Sequence, residues 1–324
     1  MTQFHPAFAD LVGQPQAVEL LVRAIAHQRI APAYLFFGAP GIGKRLAAQC
    51  FAACLLVPGG EWQGGLLPPG LQQRVRQGNH PDLLWVEPTY LHQGQRYTAA
   101  EAEEKGLKRR SPPLIRLEQI RDLTRFLSRP PLEASRSVVV LDQAETMAEA
   151  AANALLKTLE EPGQATLILI APSLDALLPT LVSRCQRIPF RRLNPADLTT
   201  VLAAQGHGEM GNHPDLLAIA AGSPGEAIAS WQRLQSMPAD LMAALSQPPQ
   251  SLRGALELAQ TVTQSLDTEA QLWLIDYLQH QYWQQQRADW VQQLETARRH
   301  LLRYVQPRLV WEVTLMNLIQ PTSA

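Results

Sequence analysis

The sequence predicts an α/β domain with a parallel sheet over residues 1–193, followed by two all-helical units at 194–236 and 237–324. Three observations predict it. Apolar runs without polar alternation, as in strands covered on both faces, recur between helical patterns. The first of them, Ala33-Tyr34-Leu35-Phe36-Phe37, opens into the turn Gly38-Ala39-Pro40-Gly41-Ile42-Gly43-Lys44, the strand–turn–helix setting of a phosphate-binding loop. From Asn194 onward no strand pattern survives.

The elements follow in order. Val18, Leu21, Val22 and Ile25 stand at helical spacing and place a helix within 11–29; after the loop an alanine-rich helix runs from Leu46 to Leu56. Residues 58–70, dense in glycine and proline, read as loop. His80-Pro81-Asp82 leads into a short strand, 83–86. Residues 87–113 are polar, with a basic cluster at Lys105, Lys108, Arg109 and Arg110, which reads as a solvated insertion before it reads as a DNA contact. Ile115, Ile120, Leu123 and Leu127 predict the next helix. Strand 138–141 ends at Asp142, a helix from about Met147 to Glu161 is stopped by Pro162, and 166–170 and 186–189 complete the strands.

In the helical part Asn194-Pro195 is a cap with proline at the first helical position, and 213–230 is a helical pair broken at Gly222-Ser223-Pro224-Gly225. Trp290, Leu294, Ala297, Leu301 and Tyr304 fall three and four apart as an amphipathic stripe. With Trp273, Tyr277, Trp283 and Trp311 they read as a bundle core, and a face left exposed would serve oligomerisation.

Composition bounds the function. At 324 residues, 46% hydrophobic and 18% charged, the chain is an ordinary globular one, and a net charge of −1 excludes a free-standing basic nucleic-acid binder. Cys50, Cys54 and Cys185 form neither a disulfide framework nor a CxxC zinc pair, which fits a reducing, cytoplasmic setting. Cys50 and Cys54, one turn apart, read as buried small apolar residues. The first ten residues lack the basic and apolar regions of a signal peptide, and no apolar run reaches the length of a membrane span.

Three motifs carry the chemistry. Gly38, Gly41, Gly43 and Lys44 fill the phosphate loop, in which unobstructed backbone N–H groups and a lysine face phosphates at a helix N-terminus. The next position, which normally supplies a magnesium-binding hydroxyl, is Arg45, a donor-only side chain. Asp142 ends an apolar strand where it could hold magnesium, but Gln143 stands where a hydrolysing enzyme carries a glutamate base. Glu145 reads as a capping-box partner of Asp142 at least as readily as a catalytic group. The third motif is Leu177-Leu178-Pro179-Thr180-Leu181-Val182-Ser183-Arg184-Cys185; an isolated Arg184 would read as a salt-bridge residue.

Together with Leu11-Val12-Gly13-Gln14, His80-Pro81-Asp82, the run from Ala151 to Pro162 and Ala221-Gly222-Ser223-Pro224-Gly225, these motifs resemble the bacterial clamp-loader family of DNA polymerase III, over residues 11 to about 225. The resemblance implies a RecA-like AAA+ domain (1–193), a helical lid (194–236) and a helical collar (237–324) that joins subunits into a ring. It implies that Arg184 is an arginine finger acting in trans on ATP bound by the neighbouring subunit, positioned by Ser183 and Cys185. The family's γ-phosphate sensor falls on Ala171, and the lid arginine of its motor subunits on Gly225. Arg45, Gln143, Ala171 and Gly225 are four losses at four ATP-handling positions, as in a subunit that keeps the fold without hydrolysis. Lys44 and the glycines permit ATP on this chain while Arg45 either contacts a phosphate or blocks the pocket, so the resemblance implies binding that is weak or absent, with the loop and Asp142 degenerate. Zinc is not expected, since residues 58–79, where many relatives carry four cysteines, have none. The implied partners are the motor and delta-like subunits of a hetero-oligomeric ring, with the sliding clamp and primed DNA reached through the complex, and no membrane. The alternatives are an ATP-hydrolysing motor subunit of the same assembly and a P-loop kinase of small molecules.

Overall fold

The computed structural model describes residues 5–319 apart from 60–61, 63, 108–111, 162 and 248. Its contacts divide the chain into two compact units, Met1–Asp197 and Leu198–Ala324.

The first unit is built on five parallel strands: β1 (Ala33–Phe37), β2 (Leu83–Val86), β3 (Ser137–Leu141), β4 (Ala165–Ala171) and β5 (Gln186–Pro189), in the order β2-β3-β4-β1-β5. Every residue of β3 and β4 is buried, which is why these strands read as unbroken apolar runs. Alternation along β1 divides the core. Leu35 joins Val139, Leu141, Leu167 and Leu169 against the helices Leu117–Leu127 and Glu149–Glu160, through Ile120, Leu123 and Leu155. Tyr34 and Phe36 face the other way onto Phe51 of the helix Lys44–Leu55, the Tyr34 ring edge-on at 4.9 Å.

Register aligns the strand ends. Phe37 pairs with Ala171 and with Pro189, and Leu141 pairs with Val86 and Leu169. Gly38, Glu87, Asp142 and Ala171 therefore share the C-terminal edge, where open parallel sheets bind their ligands.

The polar stretch after β2 is more ordered than a plain solvated insertion. It holds an antiparallel hairpin, Tyr90–His92 with Gln95–Tyr97, turned by Gln93 and Gly94 at φ 50° and 80°. The helix Ala99–Glu104 follows, capped by Thr98, whose N–H donates to Glu101 Oε2 at 2.7 Å. Lys105 Nζ stands 4.5 Å from the centre of the Tyr97 ring, while Lys108, Arg109 and Arg110 lie outside the described residues, as does Pro162. The first helix is Pro15–Ala26, and the expected helix from Met147 begins two residues later, after a 3-10 turn at Ala144–Thr146.

The second unit is helical. Leu198–Ala324 contains helices at Pro214–Ala220, Pro224–Ser236, Ala239–Leu245, Leu252–Ser265, Thr268–Gln284, Ala288–Leu302 and Pro307–Asn317. The break before Pro224 is a left-handed Ala221 and Gly222 followed by Ser223, whose Oγ accepts the Glu226 N–H at 3.2 Å. The helices expected as lid and those expected as collar share one core, with Leu216, and Trp231 and Leu234 packed against it, joining Met237, Trp273, Leu278, Tyr282, Trp290 and Trp311. Three of its aromatics place their polar tips on partners: Trp273 donates to Ser230 Oγ (3.0 Å), Trp311 to Gln271 Oε1 (2.9 Å) and Tyr282 to the Leu245 carbonyl (2.8 Å). The predicted stripe holds at Trp290, Leu294, Ala297 and Leu301 but not at Tyr304. That residue lies past the helix end at φ 59° and is exposed, as is Trp283.

Candidate functional site

The phosphate loop leaves β1 through Gly38 at φ 147°, and a Cβ there would meet the Phe190 carbonyl oxygen at 2.5 Å and Ile42 Cδ1 at 2.9 Å. Gly41 and Gly43, at φ 70° and 96°, also take conformations that side chains disfavour. The loop is pinned from below by the buried Gln14. Its Nε2 donates to the carbonyls of Ile42 (3.2 Å) and Arg191 (2.6 Å), while its Oε1 accepts the Arg191 N–H (3.0 Å). The Val12-Gly13-Gln14 motif is thus a brace between the loop and the segment after β5, and Gly13 is required there because a Cβ would stand 2.8 Å from Leu193.

Lys44 is buried, and its Nζ donates to the Gly38 carbonyl and, at 2.6 Å, to that of Ala39. Burial pulls its pKa down to about 8, against the opposing pull of Glu145 and Asp142. Glu145 therefore takes part in the electrostatics of the loop and is not a capping partner of Asp142. The 3-10 turn is entered through Gln143, at φ 52°, without a side-chain cap.

Arg45 is the centre of the site as built. Its Nη1 donates to Asp142 Oδ2 at 2.8 Å and its Nη2 to Glu87 Oε1 at 2.5 Å, while its guanidinium carbon lies 4.8 Å from the centre of the Trp85 ring. The other Asp142 oxygen accepts the Gln143 N–H at 3.0 Å. Burial holds the Asp142 carboxyl above its usual range even with Arg45 beside it. The residues present do not fit a magnesium nucleotide. Arg45 brings only donors, both Asp142 oxygens have partners within the chain, and Ala171, buried beside Phe37, has no polar side-chain atom for a phosphate. Among the described residues no group of three or more His, Cys, Asp or Glu side chains could hold a metal ion. Cys50 and Cys54 are buried, and burial raises both thiols, that of Cys50 to about 11.

Glu87 and Trp85 were not singled out by sequence. The available signal is that β2 and β3 are adjacent runs each ending in an acid, Val86-Glu87 and Leu141-Asp142. His80-Pro81-Asp82 is structural. The buried Asp82 carboxylate accepts the N–H groups of Leu132 (2.6 Å), Glu133 (2.8 Å) and Ala134 (2.8 Å). Burial raises its pKa, but these donors bring it below the usual value.

Arg184 lies elsewhere. It precedes β5, and since β5 pairs with β1 from Tyr34↔Gln186, it sits at the N-terminal edge of the sheet, one strand length (roughly 15 Å) from the phosphate loop. It is exposed, with Nη2 donating to Glu160 Oε1 at 2.8 Å and Nη1 to the Thr180 carbonyl at 3.1 Å. Ser183 Oγ donates to the same carbonyl at 3.0 Å, and Cys185 is buried, so both neighbours fix the turn that carries the arginine. Gly225 is exposed in the first turn of its helix. The structure thus brings Gly38, Gly41, Gly43, Lys44 and Asp142 together and leaves Arg184 apart from them.

Comparison with known proteins bears on both units. The family described as DNA polymerase III, delta subunit, matches residues 13–194, and the cyanobacterial DNA polymerase III delta prime C-terminal domain matches 196–318. The delta' subunit of Bacillus subtilis is 34% identical over 199 residues (59% of this chain, 52% of that protein), and that of Pseudomonas aeruginosa 37% over 197 (60% and 54%). The chain spans about half the length of these curated relatives. A DNA polymerase III gamma subunit-related protein of Thermotoga maritima shares the fold, with a TM-score of 0.54 at 17% identity, over 94% of this chain and 98% of that one. With the delta-subunit family covering more than half of the sequence and the delta prime C-terminal domain most of the rest, the chain belongs to the DNA polymerase III delta and delta prime subunit family.

Proposed function

We propose that the chain is a non-hydrolysing, delta-prime-like subunit of a DNA polymerase III clamp loader. In this reading it completes a hetero-oligomeric ring with motor and delta-like subunits and offers Arg184 to ATP held by a neighbour while the sliding clamp is loaded onto primed DNA. The observation that carries the reading is the separation of Arg184 from its own phosphate loop. An exposed guanidinium at the far edge of the sheet has no nucleotide of its own to act on, whereas its planar fork suits charge developing on a γ-phosphate presented by another chain. The Arg45–Asp142 contact supports the absence of hydrolysis. Apolar side chains left exposed one turn apart in the second unit, Leu252 with Leu256 and Leu309 with Val313, support ring contacts through the helical part. No helix among the described residues is long and apolar enough to cross a membrane.

The test is a reconstituted ring with motor subunits, clamp and primed DNA. Arg184→Ala should lower turnover at the one neighbouring site it serves by roughly 10³-fold, the size of an arginine-finger contribution, and so lower turnover of the ring by that site's share. Unchanged turnover would remove the trans-acting role. The intact Gly38–Lys44 frame keeps a second reading in play, an ATP-hydrolysing motor subunit. Turnover by the chain alone, abolished by Lys44→Ala, would establish it instead.

A further inference from the structure

We infer that the Arg45 guanidinium stands where a metal cation would, tying the loop helix to β2 and β3 without any ligand and excluding magnesium and nucleotide while it stays there. This deepens the non-hydrolysing reading and rests on it only for the choice of MgATP as probe.

Arg45 is the second residue of the helix that leaves the loop, and its side chain ends on two acids from two adjacent strands, Asp142 after β3 and Glu87 after β2. A divalent cation at the loop would draw on the same Asp142. The guanidinium does so with two directed N–H bonds and a stacking contact on Trp85, so one side chain joins three elements that a nucleotide would otherwise join.

Charge gives the second step. Lys44 and Arg45 are opposed by Asp142, Glu87 and Glu145, which leaves the loop one negative charge in excess. A polyphosphate needs that excess reversed, and magnesium would reverse it, but Asp142 Oδ2 is held by Arg45 and Oδ1 by the Gln143 N–H. The guanidinium occupies the acids' oxygens and still leaves the loop too negative to recruit phosphate.

The inference predicts that the site can be reopened. Titration calorimetry of the full chain with ATP, with and without magnesium, should give no magnesium-dependent binding for the wild type and no rise in its melting temperature with MgATP. Arg45→Thr, which frees Asp142 and restores a hydroxyl, should bind ATP roughly 10-fold or more tightly with magnesium than without it, a direct ligand being worth at least what an outer-shell partner is. Arg45→Ala should gain less. Both variants should melt lower than wild type without ligand, and Arg45→Thr should recover with MgATP. Gln143 is retained, so no variant should hydrolyse the nucleotide. No gain in a folded Arg45→Thr chain would overturn the inference, as would a MgATP-dependent rise in wild-type melting temperature, which needs no variant. Neither result touches Arg184, whose role is read from turnover of the assembled ring.

Discussion

The two edges of the sheet hold their charges in opposite ways. At the C-terminal edge Lys44, Arg45, Asp142 and Glu87 bond to one another or to the loop's own carbonyls, and the acid at the centre is buried. At the N-terminal edge Arg184 is exposed, and its partner Glu160 is more than half exposed. Water screens the second arrangement, where an ion pair contributes about 0–1 kcal/mol; at the loop edge Arg45 is exposed too, 52% against 38% for Arg184, so the difference lies in the buried Lys44 and Asp142. The loop edge therefore behaves as structure, and the Arg184 edge as a group that can be handed to something else at little cost.

The sharpest way to break that contrast is to ask whether the loop still needs its shape. If it were a relic free to relax, Gly38→Ala would be tolerated. The Phe190 carbonyl at 2.5 Å from the added Cβ, with φ at 147°, leaves no room, and we expect a loss of roughly 3 kcal/mol or more in denaturant unfolding. A loss below about 1 kcal/mol would show that the loop is no longer a structural element.

The next effect is on pH dependence. Lys44 titrates at about 8 in the folded chain against 10.5 in the unfolded one. Between those values the unfolded state holds more protons, so the Lys44 contribution to stability rises with pH across that window. The difference of about 2.5 units corresponds to an upper bound of order 3 kcal/mol. Comparing the wild type with Lys44→Met cancels the other groups: the variant should lose ground relative to wild type as pH rises from 8 to 10.5. A pH-independent difference would mean that Lys44 is not desolvated, and the loop edge would then resemble the Arg184 edge.

Much of this organisation is legible in the sequence because it is local. Strands β1 to β4 appear as apolar runs within a residue of their observed ends, since burial removes polar alternation, whereas β5, Gln186-Arg187-Ile188-Pro189, buries only Ile188 and shows as a short run by position alone. The left-handed turn at Ala221-Gly222 and the Ser223 cap are likewise written in adjacent residues. The hairpin at Tyr90–Tyr97 was hidden because its turn uses Gln93-Gly94 in place of the stronger Asn-Gly or Asp-Gly signal. Its following helix carried a readable Thr98-x-x-Glu101 box that the surrounding charge obscured. What the sequence could not carry is the Arg45–Asp142 contact, between residues 97 positions apart, and the part played by Glu87. Those depend on which strands become neighbours, and only the order β2-β3-β4-β1-β5 brings the two acids to the same guanidinium.

The smallest effect tests the other side of the contrast. Glu160 accepts from Arg184 at 2.8 Å, but Arg184 keeps its second bond to the Thr180 carbonyl, and the turn is held independently by Ser183 Oγ and the buried Cys185. Glu160→Gln should therefore change stability by no more than about 0.5 kcal/mol, with little dependence on salt. In the assembled ring it should leave ATP turnover unchanged or slightly raised, because a guanidinium released from its carboxylate meets a phosphate without first giving up an ion pair. A fall in turnover as deep as that of Arg184→Ala would reverse the contrast, making Glu160 a positioning residue and the Arg184 edge as firmly wired as the loop.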